Sequence, residues 1–304
     1  MTKLKKSNSV SLLTLILPKE SVGKVSKAIS VVGAKGIMQI SARGSVLNEG
    51  GLLEKMFPPP APEQQLLQAL VPTDKIDEIT DKAIEVGNLD RVGSGAVFNI
   101  SCNEAHLADK FPSNIEESDN DAPIQQNVGS LEAICCICEI GVADDIAKAA
   151  LQNGAPGPTV TFGEGGGVRD KIPLLRITKG PEKEFVWCVV DKSDSDAIFA
   201  DMARAGRITE PGRGFMYSIP VRSGLINVSS TVSSSAHGAN MDQIIAALDD
   251  LKGSKDWRHL VDSGKSKALK TTYLENLIGL YCIVPRDFYS EVYDAVLDSG
   301  APGV

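Results

Sequence analysis

One order of elements comes back along this chain, and that recurrence restricts its fold more than its composition does. The apolar run 11–17 reads as a strand, and Val22, Val25, Ile29 and Val32 follow at helical spacing up to a stop at Gly33-Ala34-Lys35-Gly36. A second strand at 37–41 opens into a long loop through Gly44, Gly50, Gly51 and Pro58-Pro59-Pro60. Residues 66–71 make a third strand. Pro72 and Thr73 then start a helix carrying Ile76, Ile79, Ala83 and Val86 as far as Gly87, and 96–101 is a fourth strand. Strand–helix–strand–strand–helix–strand is the ferredoxin-like plan, βαββαβ.

The plan returns with strands at 133–140, 159–162, 185–190 and 215–221 and helices at 142–152 and 193–204. It starts again with an apolar strand at 279–285 and a helix carrying Phe288, Val292, Ala295 and Val296. Gly154-Ala155-Pro156-Gly157 recurs as Gly300-Ala301-Pro302-Gly303, so the chain stops halfway through a third unit. The expected fold class is α+β, with tandem ferredoxin-like domains at 9–104 and 131–228 and the first half of another at 273–304. Between them, 105–130 reads as an Asp/Glu/Asn/Pro-rich linker, and 229–272 as a Ser-rich linker with short helices at 241–251 and 257–261. An unfinished unit would expose an apolar strand edge, which predicts association and a chain cut from a longer three-unit protein.

Composition closes off other classes. A net charge of −8 argues against a nucleic-acid binder, and the basic run Lys3, Lys5, Lys6 reads as a solvated tail. No apolar run reaches the length of a membrane span and 11–17 is too short for a signal-peptide core, so the cytoplasm is the expected compartment. Cysteines 135, 136, 138, 188 and 282 lie in apolar runs and read as reduced core thiols. His106, His237 and His259 are scattered, which predicts no metal site, and no nucleophile–base pair stands at a catalytic spacing, so an enzyme is not expected.

Chemistry gathers instead between Gly154 and Val221. A cluster at Gly163, Gly165, Gly166 and Gly167 and a second stretch, 205–214, lie a strand and a helix apart. Glycine can turn backbone N–H groups into a shared concavity for an anion, with Arg169, Lys171, Arg207 and Arg213 supplying charge. Taken singly, either stretch could be an ordinary turn or a ligand-free loop.

Together, Val160-Thr161 leading into those glycines with Arg169-Asp170-Lys171, then Ala205-Gly206-Arg207-Ile208 and Gly212-Arg213-Gly214-Phe215, resemble the PII nitrogen-regulatory signal-transduction family. The resemblance spans 131–228 well, 9–104 more faintly and 273–304 as a half. It implies ferredoxin-like units packed in threes, with ATP or ADP, and Mg²⁺ with it, held between neighbours. It implies a sensor with no prosthetic group, whose flexible T-loop, here 163–184, docks on a transporter, enzyme or regulator. By position, Gly165, Gly167 and Arg169 would form the T-loop base, Gly206, Gly212, Arg213 and Gly214 the phosphate-gripping B-loop, and Arg222 the basic residue past the last strand.

The departures are specific. Asp170 replaces a glutamine that the family uses for magnesium and 2-oxoglutarate, and no tyrosine lies between Gly163 and Glu184 for uridylylation. In the first repeat, Arg91-Val92-Gly93-Ser94-Gly95 lacks the central arginine, and Leu52, Leu53, Met56 and Phe57 replace basic loop residues. That copy reads as degenerate, a possible neighbour wall for a site on the second repeat. Two readings follow: a nucleotide-responsive regulator, or a ligand-free interaction scaffold on the same fold.

Overall fold

The computed structural model describes residues 4–47, 62–91, 93–108, 114–117, 129–165, 182–210, 212–228, 231–232 and 277–301. Most of both long loops, much of the 105–130 linker, the helices expected at 241–251 and 257–261, and Gly167 and Arg169 lie outside the described residues.

In chain order the elements are β1 (Leu4–Ser7), β2 (Val10–Pro18), α1 (Val22–Val32), β3 (Met38–Gly44), β4 (Val46–Leu47), β5 (Glu63–Pro72), α2 (Ile76–Gly87), β6 (Gly95–Cys102) and β7 (Ala105–Ala108). They continue with β8 (Leu131–Glu139), α3 (Ala143–Gln152), β9 (Thr159–Glu164), β10 (Glu182–Asp191), α4 (Lys192–Ala205), β11 (Gly214–Val221), β12 (Ser223–Asn227), β13 (Thr231–Val232) and α5 (Tyr289–Asp298). The result is a mixed α+β molecule built on a nine-stranded sheet in the order β11-β8-β10-β9-β3-β5-β2-β6-β12. All eight neighbour pairings in that sheet are antiparallel.

The helices form because their apolar residues share a face. Val22, Val25 and Ile29 of α1 and Ile76, Ile79 and Ala83 of α2 pack on Leu13, Leu15 and Leu17 of β2, all buried. The second half repeats this with Ile146, Ala147, Ile198 and Met202 over Ile134, Cys136 and Val186. Each fully buried Leu or Ile in these layers contributes about 1.5–3 kcal/mol.

The two halves meet along β3 and β9, where Ala42, Arg43 and Gly44 pair with Thr161, Val160 and Thr159. The sheet also closes on itself. β11 stands at one end of the strand order and β12 at the other, yet only Arg222 separates them in sequence, so the two ends must come together. Arg222 N–H donates to the Asn99 carbonyl at 3.0 Å, and β12 runs antiparallel to β6. The face away from the helices is thereby covered: Ile16, Leu66 and Phe98 of the first half share a core with Ala133, Val189 and Val221 of the second. Because both faces are covered, β2 is buried from Val10 to Leu17 and is apolar there except for Ser11 and Thr14.

Two expectations are corrected, and one strand is added. The basic run at the N-terminus is no free tail: β1 pairs antiparallel with β7, itself inside the expected linker, and Lys6 lies 3.1 Å from Glu104. The added strand is β12, which follows Val221 and pairs with the edge of β6. Residues 277–285 form no strand: none of the described sheets pairs with them, and Leu277, Ile278 and Leu280 stay 71%, 82% and 78% exposed. Their helix, α5, does form, and Tyr281 reaches the Tyr217 hydroxyl on β11.

Candidate functional site

The turn joining α4 to β11 is a copy of the turn joining α2 to β6. Asn88 and Arg207 take φ of 51° and 53°, Gly93 and Gly212 take 85° and 83°, and Gly95 and Gly214 take 128° and 135°. A Cβ on Gly95 would fall 2.2 Å from the Ile16 carbonyl oxygen, and one on Gly214 would fall 1.9 Å from that of Ile137. These two glycines therefore let the fourth strand start hard against the first. Their requirement comes from the sheet. Gly206 has an ordinary helical φ of −79° and is small for another reason, since its Cβ would meet Ile146 Cδ1 at 2.7 Å.

Backbone donors in the second turn are mostly spent within it. The N–H groups of Gly206, Arg207, Ile208, Glu210 and Arg213 donate to Met202, Arg204, Ala203, Arg207 and Glu210 carbonyls at 2.9–3.2 Å. What the turn offers an anion is the guanidinium groups. Arg207 Nε donates to Glu210 Oε1 at 2.7 Å, and Arg213 Nε lies 3.5 Å from Glu210 Oε2. Arg213 Nη1 also donates to Glu139 Oε2 at 3.1 Å, from the end of β8. Glu210 thus bridges both arginines, with Glu139 as a second counter-charge.

Register fixes where the other expected residues stand. Glu164 pairs with Glu182, Lys183 with Glu139, and Cys138 with Gly214, so the end of β9 lies on the same edge of the sheet as the turn. Gly165, just past β9, is three strand spacings from Gly214, roughly 14 Å. Arg222 stands at the far end of the eight-residue β11, roughly 25 Å along the strand, and belongs with the first half. Gly206, Arg207, Gly212, Arg213 and Gly214 are brought together; Gly165 is near and Arg222 is not.

The first half's turn lacks arginine at the matching place. Ser94 stands there, its hydroxyl donating to the Arg91 carbonyl at 2.5 Å. Pro18 stands where the second half has Glu139, and beside it opens a cleft of about 520 Å³ lined by Pro18, Lys19, Glu20, Pro62, Glu63 and Gly93. The far end of β12 holds this turn: Gly93 N–H donates to the Asn227 carbonyl at 2.7 Å, and Asn227 Nδ2 donates to the Leu89 carbonyl at 2.6 Å.

A third polar group sits between the halves. Glu184, 4% exposed, accepts the N–H groups of Gly141 and Ala143 at 2.8 and 3.1 Å, capping α3. Arg43 of β3 reaches Glu184 at 3.4 Å and Asp144 at 2.6 Å, with its guanidinium 5.9 Å from the centre of the Phe162 ring. Cys135, Cys136, Cys138 and Cys188 are buried in the sheet, whereas Cys282, expected as a core thiol, is exposed because residues 277–285 form no strand. Cys135 and Cys138 point to opposite faces of β8 because three residues along a strand reverse the side, and burial pushes Cys188 up to about 12. Among the described residues no His, Cys, Asp and Glu side chains converge as a metal site, and no helix is long and apolar enough to cross a membrane.

Glu210, Glu139, Arg43 and Asn227 were not among the residues expected at the site. Only Glu210 left a signal, three residues from each arginine within a single turn.

No protein-family model and no curated protein matches this chain. Among solved structures, it is similar to Arabidopsis thaliana PII bound to citrate, at 18% identity and a TM-score of 0.25, over 30% of this chain and 78% of that one. It is also similar to a microcompartment protein from Desulfitobacterium hafniense DCB, at 11% identity and a TM-score of 0.20, over 69% and 94% of the two chains. Likenesses this low bear on neither ligand nor partner.

Proposed function

We propose that this chain is a PII-like regulator in which two ferredoxin-like units stand in tandem and an adenine nucleotide sets its phosphates on the 206–214 turn. One observation carries the reading. Two turns share a backbone, and only the second adds a pair of arginines, Arg207 and Arg213, held side by side on one carboxylate. A guanidinium pair already gathered around an anionic group loses little entropy on meeting another. The exposed ion pairs that hold it are worth about 0–1 kcal/mol each. A chain of phosphates brings several charges to the pair where each resident carboxylate brings one, which favours exchange of the carboxylates for the ligand. Magnesium would arrive on the phosphates, and occupancy would be read by a protein partner through the loop at 163–184.

The test is a melting-temperature shift with ATP, ADP and AMP, followed by calorimetry on Arg213→Ala. Binding only to the folded state must raise its stability. The variant is expected to lose about 1.5–3 kcal/mol of nucleotide affinity; equal affinity in variant and wild type would remove the 206–214 turn from the site. The scaffold reading is favoured by the turn's internally satisfied N–H groups, and it requires no shift with any nucleotide.

A further inference from the structure

Glu210 holds the position that an incoming anion would need. Its Oε1 takes Arg207 Nε at 2.7 Å and lies 2.6 Å from an Arg207 terminal nitrogen, and its Oε2 lies 3.5 Å from Arg213 Nε. The side chain is 42% exposed, on a turn whose own fold rests on backbone bonds from Glu210 N–H to the Arg207 carbonyl and from Arg213 N–H to the Glu210 carbonyl. Glu139 adds a second carboxylate on Arg213. Two positive and two negative charges therefore cancel before any ligand arrives.

We infer that Glu210 is a built-in stand-in for the ligand's phosphate, a gate that sets which anions enter; the inference rests on the nucleotide reading above. Exchange of one carboxylate for a singly charged anion gains nothing in charge, because an equal charge replaces the one displaced. A chain of phosphates carries several charges to the same two arginines and can release Glu210 to solvent with Coulomb attraction left over. The gate thus selects polyphosphates and rejects monoanions, and it stays closed when only small anions are present. In the first half Arg91 stands where Glu210 stands in the second, with Ser94 in place of Arg213, so the device belongs to the second turn alone.

The experiment uses Glu210→Gln, which keeps the size of the side chain and removes its charge, in the whole 304-residue chain. ATP and inorganic phosphate are titrated calorimetrically into wild type and variant at one salt concentration. The variant is expected to bind ATP about fivefold more tightly, the upper worth of an exposed ion pair, and its preference for ATP over phosphate is expected to shrink. ATP binding in both proteins with no gain in the variant would overturn the gate and leave the nucleotide site standing. No ATP binding in either would overturn both. A readout independent of ligand is the nitrogen-15 Nε–H spectrum of the free proteins, in which the Arg207 and Arg213 signals are expected to move in the variant. An unchanged spectrum would show that Glu210 holds neither arginine.

Discussion

Gly214→Ala separates a glycine needed by the sheet from one needed by a ligand. At φ 135° the position lies where an L-residue costs roughly 1–3 kcal/mol. The added methyl would sit 1.9 Å from the Ile137 oxygen, 2.9 Å from its carbon and 3.2 Å from Cys138 Cα, all main-chain atoms that cannot rotate away. Relief requires β11 to lift from β8 at Gly214–Cys138, giving up one or two ladder hydrogen bonds at about 1 kcal/mol each. The sum is roughly 2–5 kcal/mol, a large part of the 5–15 kcal/mol that holds an ordinary domain. Gly141 is the control within the same half, because its φ is also positive, at 86°, and nothing lies within 4 Å of a Cβ there. Gly141→Ala is therefore expected to cost only about 1–2 kcal/mol. Denaturant titration without nucleotide, followed by fluorescence of the buried Trp187, measures both. Equal losses in the two variants would refute the steric argument. A Gly214→Ala protein of normal stability that had lost only its nucleotide would return this glycine to the ligand.

Arg43→Ala should loosen the seam between the halves by about 1–3 kcal/mol, since it takes the Arg43 guanidinium from the buried Glu184 while leaving the Gly141 and Ala143 amide donors. Equilibrium unfolding of the variant tests this, with Arg43→Lys restoring part of the loss; a variant as stable as wild type would show that the Arg43–Glu184 pair adds nothing to the seam. Alkaline pH should destabilise the second half. Burial raises the Cys188 thiol from 9.0 to about 12 and pushes Cys135 up as well, while a hydrogen bond with Cys138, and then burial, raise Cys136. Above the ordinary value the unfolded chain binds fewer protons than the folded one, so stability is full below about pH 9 and falls as pH rises towards 12, by about 1.4 kcal/mol per unit for each thiol. An unfolding free energy flat between pH 9 and 11 would contradict that burial.

Periodicity made the two βαββαβ orders legible because each helix hides one stripe and each central strand hides two faces. Val22, Val25 and Ile29, or the run from Val10 to Pro18, admit few other readings. The pairings that join the halves left no such trace. Arg43 looks like a charged residue at the end of a strand, and its worth depends on Asp144 and Glu184, distant in sequence and close only once β3 meets β9. Residues 279–285 show the converse error: strand propensity yields no strand where no described strand pairs with the segment, even though Tyr281 reaches Tyr217 on β11. At the site, the glycine and arginine spacing was legible, but the reasons for the glycines were not. Gly214 and Gly206 are small because Ile137 and Ile146 crowd them, contacts that a sequence motif cannot distinguish from a ligand's approach.

Arg222 shows how closure of the sheet carries a residue of one half to the other. By position it would be the basic residue past the last strand, serving the turn in front of that strand. Yet β11 carries it away from Gly214, its N–H is bound to Asn99 of the first half, and the strand that follows ends with Asn227 on the Gly93 turn. Asn99 is fully buried, and its amide nitrogen is held by the Ser223 hydroxyl at 2.7 Å, which fixes the crossing point. The tail of the second half therefore attends the turn of the first. A single ribbon, 214–227, thus begins at the turn that carries the arginine pair and ends on its copy in the first half. Divergence between the copies then has a physical basis. The first turn is tied to Asn227 from the far end of β12, whereas the second rests on its own backbone bonds and carries Arg207, Arg213 and Glu210 as a surface cluster that an anion can rearrange.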